Sequence, residues 1–499
     1  MQFEEMLSLG VYFVLMMAIG VYAYRKSTSD VSEYMLGGRQ LNPAVASLSA
    51  GASDMSGWML LGLPGAMYVS GLSAAWIAVG LLAGAFFNYL WVAPRLRVYT
   101  EVADDAITIP DFFEKRFCDH SGRLRVFSSV VIVIFFTLYT SAGVVAGGKL
   151  FEASMGLQYE VGLVVTAGVV VAYTLFGGFL AVSLTDFVQG CIMFVALVLV
   201  PVVALTDVGG LDEVSSIIDS ADKNLLSAFG GLTALGVVSS LSWGLGYFGQ
   251  PHIIVRFMAL RSHKDAPTAR RIGISWMTVS LIGALGTGLV GFAYVKRTGY
   301  DLTDPETIFI ALSQVLFHPL IAGFLLAAIL AAIMSTISSQ LLVSSSSLTE
   351  DFYKKFLRQQ ASQRELVAVG RASVFLVSLV AIALAFDRSS TILTLVSNAW
   401  AGFGAAFGPI VLLSLYWKRL TRDGALAGMV FGALTVLIWV YAPIEIAGKT
   451  LSTHMYEIIP GFVLCTLAAV VVSLRGQAPH EVACDRYDRM LDIIEGRTV

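Results

Sequence analysis

The stretch LSAGASDMSGWMLLGLP, Leu48–Pro64, places polar residues in the middle of a segment that is otherwise apolar enough to lie in a lipid bilayer. Glycine, serine and aspartate fall together between Gly51 and Gly57, and these residues weaken a helix or offer its backbone other hydrogen-bond partners. Asp54 would be an ionisable group at membrane depth, which is costly and usually marks a functional site. The stretch therefore predicts a broken membrane helix whose exposed ends can hold ions and polar molecules.

The whole chain has the composition of an integral membrane protein. Its 499 residues are 57% hydrophobic and 13% charged, whereas charged residues make up about a quarter of an ordinary soluble domain. The formal net charge of -3 and the lack of a basic cluster give no indication of nucleic-acid binding. The first apolar span lacks the basic start and the small-residue cleavage site of a signal peptide, so we expect it to be retained.

Apolar stretches long enough to cross about 30 Å of hydrocarbon recur along the chain. They predict an all-α integral membrane protein with about thirteen transmembrane helices embedded in the lipid bilayer. The predicted spans are Met6–Tyr24, Leu41–Val69, Leu72–Ala93, Val126–Gly148, Val161–Phe176, Phe179–Leu205, Leu232–Val255, Ile272–Val295, Leu320–Leu342, Leu366–Phe386, Ile392–Leu415, Ala425–Tyr441 and Ile458–Leu474.

The basic residues indicate the orientation, because Lys and Arg favour the cytoplasmic side of a membrane. With the N-terminus outside, all but six of the 32 Lys and Arg residues fall in cytoplasmic segments. The six exceptions are Lys149, Lys223, Lys296, Arg297, Arg388 and Lys449. The asymmetry predicts a multi-pass protein with its N-terminus outside and its C-terminus in the cytoplasm. None of the four cysteines falls in an outer loop, so we expect no disulfide.

A second interrupted span contains SWGLGYFGQP, Ser242–Pro251, whose glycines and proline cannot form a regular helix interior. Each interrupted span opens a set of five spans, and the two sets have opposite orientations because five is odd. This is the pattern of an inverted-repeat transporter with a binding site between the two breaks. The predicted organisation is an N-terminal helix and cytoplasmic link (1–40), a first repeat (41–206) broken near 49–57, an acidic outer loop (207–229), a second repeat (230–416) broken near 243–251, two C-terminal helices (417–474) and a cytoplasmic tail (475–499).

The segment AAIMSTISSQLLVSSSS, Ala331–Ser347, predicts a serine-rich helix. Ala332, Ser335 and Thr336 are spaced i, i+3 and i+4, so they lie on one face. Sodium is a small hard cation that prefers oxygen ligands, which these hydroxyls and the carbonyls freed by the first break could supply. Serine hydroxyls in membrane helices also commonly bond back to their own helix, so the residues alone leave ligation open.

Several segments, taken together and in order, resemble the solute:sodium symporter family. They are LGGR (Leu36–Arg39), SAGASDMSGW (Ser49–Trp58), WGLGYFGQPH (Trp243–His252), AAIMSTISSQLL (Ala331–Leu342) and AWAGFGAAFGP (Ala399–Pro409). The resemblance implies a transporter of the bacterial cytoplasmic membrane, with a ten-helix inverted-repeat core like that of the leucine transporter. It also implies uptake of L-proline by alternating access, with the sodium ion as transported co-substrate and no organic cofactor.

The resemblance further implies the residues of the site. The implied sodium ligands are the backbone oxygens of Ala52, Met55 and Ala332 and the hydroxyls of Ser335 and Thr336. The implied proline site consists of Ser56, Gly57, Trp58, Tyr139, Trp243, Tyr247 and Pro251, and the implied coupling or gating residues are Arg39, Asp54 and Asp186. Aromatic and apolar walls would enclose the proline ring, while polar backbone and helix ends would hold its charged groups.

Several of these residues also have a purely structural interpretation. Asp54 could pin the break, and Asp186 could cap a helix. Arg39 could be one more positive-inside anchor. Trp243 and Tyr247 are i, i+4 neighbours, which is also typical of packing or of an interfacial aromatic belt.

Other assignments stay open as well. Tyr139 would be a core residue without the family resemblance, and His252 and Arg256 are interpreted as structural or cytoplasmic-surface residues. The functional alternatives are a sodium symporter for another small solute and a passive facilitator. A membrane-embedded enzyme is the least favoured class, because the sequence contains no nucleophile–base set, metal cluster or cofactor motif.

Overall fold

The computed structural model describes residues 3–26, 36–387 and 389–497, and these residues form an almost entirely helical bundle. Ten helical stretches in this part of the chain are long and apolar enough to cross a membrane. The fold is therefore that of a multi-pass membrane protein. Part of the predicted cytoplasmic link, residues 27–35, and Arg388 lie outside the described residues.

The described residues contain twenty α-helices and one small hairpin. The first ten helices are α1 (Phe3–Lys26), α2 (Pro43–Asp54), α3 (Leu63–Ser70), α4 (Ala75–Phe87), α5 (Ala93–Val102), α6 (Ile109–Arg116), α7 (Arg123–Met155), α8 (Tyr159–Val208), α9 (Leu211–Asp222) and α10 (Ala234–Leu241). The others are α11 (Pro251–Met258), α12 (Ala266–Thr298), α13 (Ile308–Leu316), α14 (Pro319–Ser346), α15 (Gln363–Ala385), α16 (Ile392–Tyr416), α17 (Arg422–Tyr441), α18 (Leu451–His454), α19 (Ile458–Arg475) and α20 (Glu481–Glu495). Strands β1 (Glu445–Ile446) and β2 (Lys449–Thr450) pair antiparallel.

The first break lies at the C-terminal end of α2. This helix begins at Pro43, where the preceding Asn42 side chain caps a backbone N–H of the first turn. It ends at Asp54, because Met55 (φ -83°, ψ 74°) leaves the helical region. A π-helical turn, Trp58–Gly62, then leads into α3. Within the window 49–57 the chain thus stays helical to Asp54 and departs from the helix only in its last residues.

The second break separates α10 from α11. A 3-10 helix, Ser242–Gly249, follows α10, and Gln250 (φ -79°, ψ 108°) then interrupts the helical backbone. Pro251 opens α11 at a position where a helix needs no N–H donor. A Cβ on Gly246 would lie 1.9 Å from the indole nitrogen of Trp400, so only glycine allows this segment to pack on α16.

Ion pairs mark the two ends of the bundle. At one end, which we call the Glu306 end, Lys149 contacts Glu306 (2.6 Å) and Asp304 (2.8 Å). At the other, which we call the Asp351 end, Arg125 contacts Asp351 (2.7 Å). The two basic residues lie near opposite ends of α7 and are therefore separated by roughly 36 Å along its axis.

Helix α8 is 50 residues long, although the sequence predicts two spans over this region. Near its start, the Tyr159 hydroxyl donates to the last carbonyl of α15 (2.9 Å). Near its end, the Asp207 carbonyl accepts a hydrogen bond from Arg297, at the end of α12. Both partners lie at the Glu306 end, whereas a straight helix of this length would extend about 75 Å. The segment therefore crosses the bundle and returns, as two spans would.

The difference between ten apolar stretches and the predicted thirteen spans arises where helices are short or interrupted. Residues 159–172 form a shorter apolar stretch, and 58–102 run through a predicted loop as one long stretch. The interrupted segment from α10 to α11 is too short on either side of its break to count as a span.

Candidate functional site

Oxygen atoms from the first break and from α14 meet in the protein interior. The Ser335 hydroxyl donates to the Ala52 carbonyl (2.7 Å) and lies 3.1 Å from the Ala332 carbonyl. The Thr336 hydroxyl lies 3.4 Å from the same Ala52 oxygen. These residues and Met55 are fully buried. The structure thus brings four of the five predicted sodium ligands together, and Met55 occupies the non-helical position beside them.

The electrostatics of this cluster favour a cation. The last carbonyls of a helix have no partner within it and carry the negative end of its dipole. In α2 these include Ala52, Asp54 and the carbonyl of Met55 just beyond the helix. Two oxygens that both bind a small cation at about 2.4 Å lie roughly 3.4 Å apart at right angles. The Ser335 hydroxyl would therefore move less than about 1 Å to exchange its hydrogen bond for an ion.

The break itself is held by the backbone carbonyl of Asp54. Three donors converge on this oxygen: the indole N–H of Trp58 (3.0 Å), the hydroxyl of Tyr139 (3.3 Å) and the backbone N–H of Ser56 (3.0 Å). The Ser56 hydroxyl in turn accepts from the Trp58 backbone N–H (3.5 Å). Gly57 closes the turn, because a Cβ there would lie 2.6 Å from the Cβ of Ala146. The structure thus gathers four predicted substrate residues around the first break.

A side-chain hydrogen bond connects the two breaks. The Tyr247 hydroxyl, on the 3-10 helix, donates to Oδ2 of Asp54, and both residues are buried. The Tyr247 ring also packs edge-on against Trp400, with ring centroids 5.0 Å apart. The Trp400 indole N–H donates to the Trp243 carbonyl (2.7 Å). Trp400, which the sequence did not single out, therefore anchors the second break.

The two other predicted substrate residues of the second break differ in their surroundings. Trp243 is stacked on Tyr456, with ring centroids 5.3 Å apart, so its ring belongs to an aromatic pair at the edge of the site. Pro251 begins α11 and lines an apolar cavity with Phe179 and Val255 that extends toward the Asp351 end. The packing alternative for Trp243 thus has direct structural support.

Asp186 lies in a separate polar cluster nearer the Asp351 end. Its Oδ2 accepts from the Ser49 hydroxyl (2.8 Å) and from Arg256 (3.1 Å). Arg256 also donates to the hydroxyls of Ser49 (3.1 Å) and Ser339 (2.7 Å). Ser49 and Ser339 lie one helical turn from Ala52 and Ser335, respectively, so the cluster adjoins the oxygen cluster.

The cytoplasmic-surface interpretation of Arg256 and His252 is wrong. Arg256 is 1% exposed and His252 is fully buried against the rings of Phe136 and Tyr139. A basic residue near the predicted end of a span resembles a topology signal, and its partner Asp186 is 70 positions distant in sequence. One feature of the sequence did indicate a polar surface inside the bundle. Ser335 and Ser339 are spaced i, i+4, which places both hydroxyls on one face of α14.

Arg39 lies at the Asp351 end, about 18 Å from Asp54 along α2. Its guanidinium donates to the carboxylate of Asp105 (2.9 Å), the hydroxyl of Thr100 (3.0 Å) and the carbonyls of Met258 (2.8 Å) and Ala106 (2.7 Å). Burial lowers the pKa of Arg39 from its usual value, and Asp105 opposes that shift. The three predicted coupling residues thus occupy three different places, and Arg39 connects the start of α2 to the end of α11.

Two interrupted helices around a buried cluster of oxygens define a secondary transporter of the membrane. A family model described as the sodium:solute symporter family matches residues 34–432, and the chain belongs to this family. The fold is similar to that of a Na+-coupled sialic acid symporter in a substrate-bound outward-open state, with a TM-score of 0.79 at 20% identity over 96% of this chain and 99% of that one.

Bacterial relatives are similar over nearly their whole length. The chain is 58% identical to the osmoregulated proline transporter OpuE of Bacillus subtilis, covering 97% of each protein. It is 57% identical to the high-affinity proline transporter PutP of Bacillus subtilis, covering 96% of this chain and 99% of that protein. It is 54% identical to a sodium/proline symporter of Staphylococcus aureus, covering 98% and 96% respectively.

Proposed function

We propose that this protein couples inward sodium flow to the uptake of L-proline by alternating access. The observation that carries the proposal is the meeting of the Ala52 carbonyl with the hydroxyls of Ser335 and Thr336 at the end of a broken helix. The names of relatives that are 54–58% identical support proline as substrate and sodium as coupling ion.

Sodium would bind the backbone oxygens of Ala52, Met55 and Ala332 and the hydroxyls of Ser335 and Thr336. All five are neutral ligands, and the nearby end of the α2 dipole supplies negative potential. The carboxylate of Asp54, one residue before Met55, would add a full charge close to the ion. A set of five oxygen ligands favours the binding of a hard cation.

Proline would bind beside the first break. Its carboxylate would bind at Ser56, Gly57 and Trp58, where a new helix begins. The N–H groups of Ser56 and Trp58 would exchange their bonds to the Asp54 carbonyl and the Ser56 hydroxyl for bonds to the substrate. Its apolar ring would contact the aromatic rings of Tyr139 and Tyr247, with Trp243 and Pro251 at the edges of the site. Because the ion and substrate share the segment from Ala52 to Trp58, the charge of a bound sodium ion would lie close to the substrate carboxylate and favour its binding.

For the bundle we propose a thirteen-helix, five-plus-five topology. In it the Asp351 end faces the cytoplasm and the Glu306 end faces outward, since basic residues cluster at the Asp351 end. The N-terminus is then outside and the C-terminus inside a bacterial cytoplasmic membrane. Asp54 would couple the breaks through Tyr247, while Arg39 and Asp186 would act at the cytoplasmic gate.

The first test is uptake of labelled L-proline into proteoliposomes, with and without an inward sodium gradient. We expect uphill, sodium-dependent accumulation that is lost in Ser335→Ala plus Thr336→Ala, because this variant removes two of five ligands. Thermodynamic linkage requires that proline also tighten sodium binding to the purified protein, by the same factor by which sodium tightens proline binding. A proline affinity that is insensitive to sodium would contradict the coupling.

The same vesicles distinguish the alternatives. Competition by other small amino acids that matches or exceeds that of unlabelled proline would assign the sodium symport to another solute. Uptake that never exceeds the external concentration would indicate a passive facilitator. The names of the relatives favour proline uptake over both alternatives.

A further inference from the structure

A small, partly open space lies between Asp54 and residues of α4 and α12. The residues that line it include Asp54, Asn88 and Tyr247, together with the apolar Met277 and Ile253. The space has room for about one water molecule and is too small for an amino acid. It therefore differs from the proline site proposed beside Trp58.

Two of the residues that line this space carry three polar atoms without a hydrogen-bond partner in the described part of the chain. They are Oδ1 of Asp54 and both the oxygen and the nitrogen of the Asn88 side-chain amide. Asn88 is 1% exposed and Asp54 is 2% exposed. Because buried polar groups are almost always satisfied by protein or by ordered water, this combination points to a bound water.

The backbone at Asn88 is irregular as well. Helix α4 ends at Phe87, and residues Asn88–Val92 form a π-helical turn before α5 begins. Single π-helical turns within α-helices occur frequently at functional sites. An asparagine at this position is unexpected for packing alone, since the surrounding positions of α4 are apolar.

We propose that Asn88 is a positioning residue for sodium-coupled transport, which holds Oδ1 of Asp54 through one bridging water. The amide offers that water both a donor and an acceptor, while Tyr247 holds the other carboxylate oxygen. The carboxylate is thereby fixed on both sides, one residue from Met55 at the proposed sodium site. The proposal rests on the proposed function, because it assigns Asn88 a role in that coupling.

The test compares Asn88→Leu, which keeps the size but removes the polar atoms, with Asn88→Ser, which replaces the amide with a hydroxyl that can still donate and accept a hydrogen bond. In proteoliposomes we expect Asn88→Leu to raise the sodium concentration for half-maximal proline uptake about tenfold, because a hydrogen bond to a charged group is lost. Asn88→Ser is expected to stay within about threefold of the wild type. Ser280→Ala is the matched control, since Ser280 is also buried without a partner in the described residues but lies outside this space.

The outcomes separate this proposal from the proposed function. Sodium-dependent uptake by the wild-type protein tests the function, and only the variants test Asn88. A lower maximal rate and stability of Asn88→Leu with an unchanged sodium requirement would mean a merely structural role and would overturn the proposal. If Asn88→Leu does not fold, a high-resolution structure of the wild-type protein decides. Density for a water within hydrogen-bond distance of Asn88 and Asp54 supports the bridge, and an empty space overturns it.

Discussion

Arg256 and Asp186 form a buried ion pair. Replacing only one of the two residues is expected to destabilise the protein more than replacing both. Both side chains are at most 1% exposed, and their closest nitrogen and oxygen are 3.1 Å apart. At an effective dielectric constant of about 20, that separation corresponds to an attraction of about 5 kcal/mol. Desolvation offsets much of this attraction when the pair forms. Loss of one partner, however, leaves the other charge buried and uncompensated, at a cost of about 3–5 kcal/mol.

We therefore expect Arg256→Met to destabilise the protein by about 3–5 kcal/mol, and Asp186→Leu to do the same. The double variant, which leaves no unpaired charge, is expected to be more stable than either single variant. The measurement is the midpoint of thermal unfolding of the purified protein in detergent, at one protein concentration and one heating rate. Lys418→Met is the matched control, because it breaks an exposed ion pair with Asp488 worth less than about 1 kcal/mol.

The order of the unfolding midpoints shows whether the two charges stabilise each other. Non-additivity is the signature of a coupled pair, so the double variant must lose less than the two single variants combined. If instead the losses simply add, the two charges do not stabilise each other and the electrostatic reasoning fails. If the Lys418 control loses as much as Arg256→Met, burial is not what sets the cost.

Two further substitutions test the breaks. Tyr247→Phe removes the hydroxyl that donates to Asp54, and the loss of a hydrogen bond to a charged group costs about 1.5–3 kcal/mol. We expect proline-dependent sodium binding, measured by isothermal titration, to weaken at least tenfold. Unchanged binding would contradict the link between the two breaks. Gly57→Ala places a Cβ 2.6 Å from the Cβ of Ala146 and should reduce proline uptake and lower the unfolding midpoint. Gly168→Ala is the control, because Gly168 has open space around it and the change should alter neither quantity. Equal effects of the two variants would rule out the steric argument.

The interrupted helices could be predicted from the sequence because the cause is local. Glycine, serine and aspartate within an apolar span disfavour a helix whatever the rest of the chain contributes. The position was less certain: Gly51 and Ser53 remain helical, since packing in the bundle overrides their weak propensities. The departure from the helix falls at Met55, which has no sequence feature that distinguishes it.

The contacts that complete the site could not be predicted, because they join residues far apart in the chain. Arg256 lies 207 positions from Ser49 and 83 from Ser339, and no spacing rule connects them. Its charge, at a predicted helix end, favoured a role in topology. Asn88 was also missed, since one asparagine in a predicted span indicates nothing until its unsatisfied amide and a neighbouring carboxylate are seen together.

The three hydrogen bonds to the Asp54 carbonyl have a consequence for the thermodynamics of ion capture. A flexible segment loses about 1–2 kcal/mol per residue in backbone entropy when it becomes fixed. Met55 and Ser56 are non-helical, yet the hydrogen bonds of Trp58 and Tyr139 already hold the break, so under the proposed function an arriving cation would not have to order them. Preorganisation of this kind leaves more of the binding free energy to shift the balance between outward-facing and inward-facing conformations. Under the proposed function, the broken helix would thus present its carbonyl oxygens to an ion without a prior ordering step.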